Sequence, residues 1–209
     1  MTDAVYTIGH STQTIDRFVG LLKKHGITAV ADVRSRPFSR MNPQFNRPEL
    51  KEKLREAHIK YVFLGRELGA RSQDRSCYCN GQVQYDLLAR SDLFQEGIKR
   101  LKDGRQEFCI ALMCAEKEPL DCHRTILVAR ELTDAGIPVI HILYDGQTER
   151  HDDTINRLVG MLQIPNADMF REQSAVIKDA YEKRSKEIAY REESPTGNDE
   201  QDASIRHAE

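Results

Sequence analysis

No stretch of this 209-residue sequence approaches the eighteen or so apolar residues that a membrane span requires. Residues 1–10 also lack the basic-then-apolar pattern of a secretory leader, so the expected location is the cytoplasm and no membrane partner is expected. Cysteine is scarce. There are five, irregularly spaced, in a chain large enough to fold without staples, which argues against a disulfide framework and for reduced, available thiols. Strong positive charge is missing too: a net charge of −2 excludes a protein that coats nucleic acid non-specifically. There is no internal repeat.

Several familiar chemistries are absent as motifs. The chain has no G-x-x-x-x-G-K-[ST], no G-x-G-x-x-G after its first apolar run, no G-x-S-x-G elbow and no P-C-x-x-C deaminase pair. The phosphatase type of loop needs an arginine six residues after its cysteine. Cys114 and Cys122 are followed at that distance by Leu120 and Val128. Cys77-Tyr78-Cys79 is one residue too short for C-x-x-C, so spacing assigns no metal site, and the question of a cofactor stays open.

What is present is enough apolar content, 39%, to fill one sizeable α/β core. Residues 4–9 (AVYTIG), 28–33 (TAVADV), 60–64 (KYVFL), 108–113 and 139–144 (VIHILY) read as five strands. Helical spacing lies between them. Thr14 caps a helix carrying Ile15, Phe18, Val19 and Leu22 that ends at Gly26, and Pro48 opens one with Leu50 and Leu54. Ser91 starts a helix with Phe94, Ile98 and Leu101, and residues 126–132 and 152–162 read as two more. Strands alternating with helices predict a single Rossmann-like domain over residues 1–165, a mostly parallel five-stranded sheet with helices on both faces. Residues 71–81 read as a mobile loop. A charged C-terminal helical extension is expected over residues 166–191, exposed as a lid or as an arm for homo-oligomers, followed by a disordered tail over residues 192–209.

In such sheets ligands bind beyond the carboxyl ends of the strands. His10, Arg34 with Arg36, Glu67 with Arg71, Cys114 and Asp145 each follow a predicted strand and should share one rim. Cys122-His123-Arg124 opens the helix after the fourth strand. With Asp121 as N-cap, Cys122 would take the first helical position, where unpaired N–H groups and the helix dipole favour a thiolate. The plain reading is a packed thiol with Arg124 paired to Asp121 or Glu118. Seven residues separate Cys114 from Cys122, so the two sulfurs could share a reversible disulfide or a metal if their Cα atoms approach within about 7 Å. Residues 33–48 carry Arg34, Arg36, Arg40 and Arg47 with no acid. Such guanidinium forks can grip phosphate, with Phe38 and Phe45 as stacking faces, or can be solvated and pair with Glu67, Glu116 and Glu118. Asp32 can orient an arginine or act as a base. His141, inside an apolar run, reads as a core histidine.

These same stretches resemble the domain of unknown function 488 family. The motifs are T-I-G-H-S at residues 7–11, D-V-R-S-x-P-x-S-R at 32–40, F-N at 45–46, L-G-x-E-L-G-x-R at 64–71 and L-M-C-A-E-x-x-P-x-x-C-H-R at 112–124. The resemblance spans roughly residues 4–144 and implies an α/β domain with His10, Arg34, Arg36, Arg40, Asn46, Glu67, Arg71, Cys114, Cys122, His123 and Arg124 as its signature residues. This chain has Gly69-Ala70 where the family usually has Gly-Gly, and the segment with Cys77 and Cys79 looks particular to it. Taken together, the expectation is a cysteine-dependent enzyme acting on a phosphate-bearing substrate, a nucleotide or a nucleic-acid base or end. Cys122 or Cys114 would be the thiolate, His10 or His123 the proton carrier, and Arg34, Arg36, Arg40, Asn46, Glu67, Arg71 and Arg124 the substrate-binding groups. The alternatives are a non-catalytic module binding an anionic small molecule or nucleic-acid end, and a Cys114/Cys122 redox or metal site.

Overall fold

Each of the five apolar runs is a strand in the computed structural model, which describes residues 4–165 and 172–192. In chain order the strands are β1 (Val5–Gly9), β2 (Ala29–Asp32), β3 (Lys60–Phe63), β4 (Tyr78–Cys79), β5 (Gln82–Val83), β6 (Ile110–Cys114), β7 (Val139–Ile142) and β8 (Thr148–Arg150). The main sheet has six strands rather than five, in the order β3-β2-β6-β1-β7-β8. The first five are parallel and β8 lies antiparallel on β7. β8 is only Thr-Glu-Arg, a short polar edge strand that no apolar run announces.

Both faces of the sheet are buried, as parallel sheets require. Along β6, Ile110, Leu112 and Cys114 belong to one core and Ala111 and Met113 to the other, the period-two alternation of a strand. Helices α1 (Ile15–Lys24) and α2 (Arg47–Glu56) cover the second face through Phe18, Leu22, Leu50 and Leu54. Thr14 caps α1 by accepting the Arg17 N–H at 3.3 Å. On the first face lie α3 (Tyr85–Ala89), α4 (Asp92–Gly104), α5 (Arg130–Asp134), α6 (His151–Met161) and α7 (Gln173–Ile188).

β6 slots between β1 and β2. The chain leaves β1 and β2 toward the helices of the second face, and leaves β6 toward those of the first. Neighbouring strands whose connections diverge open a crevice at their carboxyl ends. Main-chain bonds run along its floor, from His10 N–H to Cys114 O at 3.0 Å and from Ser11 N–H to Ala115 O at 2.9 Å.

Two peripheral expectations change. The segment read as a mobile loop holds a single 3₁₀ turn (Arg75–Cys77) leading into the β4–β5 hairpin. It is tied down by Asp74, which accepts the Ser76 N–H at 2.9 Å, and by Tyr78 Oη, which donates to Ser72 O at 2.7 Å. The C-terminal helix is not an exposed arm. Val176, Ala180 and Tyr181 are buried in the first core, because their spacing forms an apolar stripe that the sheet-covering helices accept. The 166–171 part of that helix reading, and the tail reading from residue 193 onward, lie outside the described residues. Among the described residues no helix is long and apolar enough to cross a membrane.

Candidate active site

The turn after β6 does not start its helix as the sequence suggests. Residues Pro119–Asp121 form a 3₁₀ turn, and Asp121 is drawn aside into an ion pair with Arg184. Cys122 is extended, with φ −134° and ψ 139°. Its carbonyl accepts the Thr125 and Ile126 N–H groups at 3.0 and 3.2 Å, and its Sγ accepts the Arg124 N–H at 3.5 Å. Cys122 is thus the cap itself rather than the first helical residue, and its sulfur rather than the Asp121 carboxylate meets the Arg124 N–H. The helix that follows, Arg124–Ala129, is wound as a π-helix before continuing into α5, a widened turn of the kind that concentrates at functional sites.

Four side chains meet there. Cys114 lies at the end of β6 on the face that the π-helix covers, and His123 Nδ1 stands 3.8 Å from both Cys114 Sγ and Cys122 Sγ. On its other side, His123 Nε2 meets Val33 O at 3.1 Å, beyond the end of β2. Cys122 Sγ lies 2.9 Å from Glu116 Oε2. Glu116 is an exposed residue whose carboxylate turns back into the site, whereas Cys114, Cys122 and His123 are buried. Arg124, fully buried, braces the loop through Nη1 on Glu116 O at 2.8 Å. Gly9 makes room for this contact: a Cβ there would stand 1.8 Å from the same carbonyl oxygen.

The electrostatics separate the two thiols. Cys114 is held well above its ordinary range by its hydrogen bond to Cys122 and by burial. Burial pushes Cys122 the same way, but the Cys114 hydrogen bond, the Arg124 guanidinium and the His123 ring outweigh it and hold Cys122 well below its ordinary range. Burial disfavours charge on His123, yet the negative charge and hydrogen bond of Cys122 raise it. Enclosure of the Glu116 carboxyl and the adjacent Cys122 charge raise that group as well. These directions favour negative charge on Cys122 over Cys114 and positive charge on His123.

The arginines are held in different ways. Arg34 is buried and directs its guanidinium inward, with Nε on Asp32 Oδ1 at 2.9 Å, Nη2 on Asp32 Oδ2 at 2.7 Å and on Phe45 O at 2.8 Å, and Nη1 against His10 Nε2 at 3.1 Å. Tyr61 Oη adds a bond to Asp32 Oδ2 at 2.8 Å. Asp32 therefore orients an arginine. His10 stacks on Phe45 with ring centroids 4.3 Å apart, and burial lowers its pKa to about 4, so it enters the neutral pH range uncharged. Asn46 is buried and accepts the Ser39 N–H at 2.7 Å. Arg36 and Arg40 are exposed. Glu67 is paired with Arg100, and Arg71 lies over the Tyr190 ring at 4.4 Å. Asp145 closes the β7–β8 turn by accepting the Gln147 N–H. Cys77 is buried and Cys79 exposed.

Glu116 and Tyr85 belong to the site but not to the residues singled out from sequence. Glu116 stands inside a quoted motif, two residues after Cys114, and that proximity was its signal. Tyr85, on α3, is buried, and its hydroxyl is pushed up by that burial and by the charges of Cys122, Cys114 and Glu116; nothing in its local sequence marks it.

Neither the curated proteins nor the solved structures include a match to this chain. A family model, described as a domain of unknown function, DUF488, matches residues 14–130. The match begins after His10 and ends just beyond the π-helix, so it takes in β2, β3, β6, the Cys114–Arg124 turn and the Asp32–Arg34 brace. More than half of the sequence, including every thiol of the buried cluster, thus fits one family description, and the chain belongs to the DUF488 family.

Proposed function

We propose that the protein is a cysteine-dependent enzyme acting on a phosphate-bearing substrate, a nucleotide or a nucleic-acid base or end, with Cys122 as nucleophile. The observation that carries this reading is the convergence on one sulfur. Cys122 Sγ is met by the Arg124 N–H, the His123 ring and the Glu116 carboxylate within 3.5, 3.8 and 2.9 Å, which is the equipment of an activated thiol with proton carriers at hand. His123 takes the role of proton carrier and His10 becomes a packing partner of Phe45. Glu116, the exposed member of the cluster, is the side from which a substrate reaches the sulfur. Arg34 is spent on Asp32 and Phe45 O and the Arg124 Nη atoms on the Glu116 loop, so the substrate anion falls to the exposed Arg36 and Arg40 after β2.

The test is incubation of the full chain with a panel of nucleoside mono-, di- and triphosphates and 5′- or 3′-phosphorylated oligonucleotides, read by product formation and by intact mass. Turnover, or a covalent adduct mapped to Cys122, that disappears in a folded Cys122→Ser variant is the expected outcome. Equal turnover in that variant removes Cys122 as nucleophile.

A further inference from the structure

Two thiols and an imidazole buried side by side present a second kind of chemistry. The donor atoms of Cys114, Cys122 and His123 all lie within 4.8 Å of one another. A tetrahedral zinc ion with Zn–S near 2.3 Å and Zn–N near 2.0–2.1 Å needs S···N edges of about 3.6 Å and an S···S edge of about 3.8 Å. Both S···N separations are 3.8 Å, a few tenths of an ångström longer than the S···N edge, and the two sulfurs lie within 4.8 Å of each other. We propose that Cys114, Cys122 and His123 form a binding site for a soft divalent cation of the zinc type, with the fourth coordination position open.

The surroundings fit a ligand set. His123 Nε2 contacts Val33 O at 3.1 Å, and a ring N–H donating to a backbone carbonyl leaves Nδ1 with its lone pair aimed at both sulfurs, the usual outer contact of a metal-bound histidine. The three donors come from a strand end and the rigid turn that follows it, with no long loop to order. Two thiolates neutralise a divalent ion, and Arg124 and Glu116 beside them add one positive and one negative charge, so the filled site is close to neutral. Binding is charge-balanced by release of the remaining thiol protons to solvent. Thiolate and imidazole donors select zinc-like ions over magnesium and calcium, which prefer oxygen. Three protein ligands with one open position is the pattern of reactive rather than purely structural zinc sites.

The site goes beyond the catalytic reading and stands without it. A cation on Cys122 occupies the proposed nucleophile, so metal-loaded and thiol-reactive protein are alternative states of the same sulfurs.

Chelator-treated, reduced full-length protein titrated with Co²⁺ should take up one equivalent, with a thiolate-to-cobalt charge-transfer band and tetrahedral ligand-field bands that Zn²⁺ abolishes by displacement. The band should vanish in Cys114→Ser and persist in Cys79→Ser. In the wild-type protein Zn²⁺ should shield Cys114 and Cys122 from alkylation while the exposed Cys79 continues to react. Absence of the band in folded wild-type protein, a band that survives Cys114→Ser, or alkylation unchanged by Zn²⁺ overturns the proposal. If Cys114→Ser does not fold, the wild-type shielding experiment decides. Failure of the catalytic reading looks different: metal-free protein shows neither adduct nor turnover, while the cobalt titration is unaffected.

Discussion

Arg34 lays its guanidinium across both carboxylate oxygens of Asp32, two residues before it, at 2.9 and 2.7 Å. Both side chains are almost completely shielded from solvent, so this is an internal brace between the end of β2 and the loop carrying Phe45. Breaking a buried pair leaves an uncompensated charge, at a typical cost of about 3–5 kcal/mol. Asp32→Ala should therefore lower the unfolding free energy by that order in a urea titration. A loss below about 1 kcal/mol would show that water reaches Arg34 and that the brace is not sealed.

Gly9 is fixed by contact, not by backbone angle. Any Cβ at this position displaces the Glu116 carbonyl that Arg124 holds, and overpacking of this type costs about 1–3 kcal/mol. Gly9→Ala should be destabilised by that amount and should also alter the alkylation rate of Cys122, since the loop carrying Glu116 must shift. Gly20→Ala, where a Cβ meets nothing within 4 Å, is the control and should leave that rate unchanged.

A buried chain of hydrogen bonds runs from Thr7 Oγ1 to His141 Nδ1 at 2.8 Å, from His141 Nε2 to His151 Nδ1 at 3.0 Å, and from His151 Nε2 to Tyr181 Oη at 2.7 Å. It links β1 at the centre of the sheet to α7. Burial lowers His151 to about 4, against a weak opposing effect of Asp152, and lowers His141 well below 6.5, with His151, Arg124 and Arg157 acting in the same direction. The unfolded chain thus binds protons that the folded chain refuses. Stability is fully present above pH 6.5 and declines as pH falls from 6.5 toward 4, by about 3 kcal/mol for His151 alone at roughly 1.4 kcal/mol per pH unit. Urea midpoints between pH 7.5 and 4.5 should fall at least this steeply, because His10 and His141 add to the slope, and His151→Gln should make the slope shallower without abolishing it. A wild-type profile flat across that interval would refute the assignment.

The two cysteines of the hairpin segment should behave as unrelated residues. Cys77 is buried in the first core and Cys79 is exposed. Cys77→Ser places a hydroxyl among apolar groups and should cost about 1–3 kcal/mol, whereas Cys79→Ser should stay within about 0.5 kcal/mol of wild type. Thermal or urea unfolding of the two variants, compared side by side, checks the contrast.

The inner parallel strands were legible because strands buried on both faces must be apolar throughout, as AVYTIG and VIHILY are; β3, only partly buried at the sheet edge, still shows as the run KYVFL. β8 was not, because an edge strand of Thr-Glu-Arg buries too little to leave a signature. The Cys114–Arg124 segment was legible as a candidate site from the density of polar and thiol side chains at the end of a strand. Its details were hidden by long-range choices: Arg184, some sixty residues away, takes Asp121 from the turn, which leaves the capping position to Cys122. Arg34 was legible as a buried-strand-end cation, but a guanidinium reads the same in sequence whether it turns toward a ligand or back onto Asp32. Arg-Thr-Ile-Leu-Val-Ala likewise carries no mark that distinguishes a π-helix from an ordinary one, because the extra residue per turn is set by packing against the sheet.

The insertion of β6 between β1 and β2 governs how the chain must assemble. Gly9 pairs with Cys114 and Asp32 with Met113, partners some eighty to a hundred residues apart in sequence. The central gap of the sheet therefore stays open until roughly half of the polypeptide has been made. Contacts this distant place the cluster late in folding, after the costly closure of long loops. His123 cannot find Val33, nor Arg124 its support beside Gly9, until β6 is seated. A nascent chain ending at Arg105 has none of the cluster's side chains, and a fragment beginning there has the cluster's thiols without their walls; the cluster is completed in one step, when the last central strand docks.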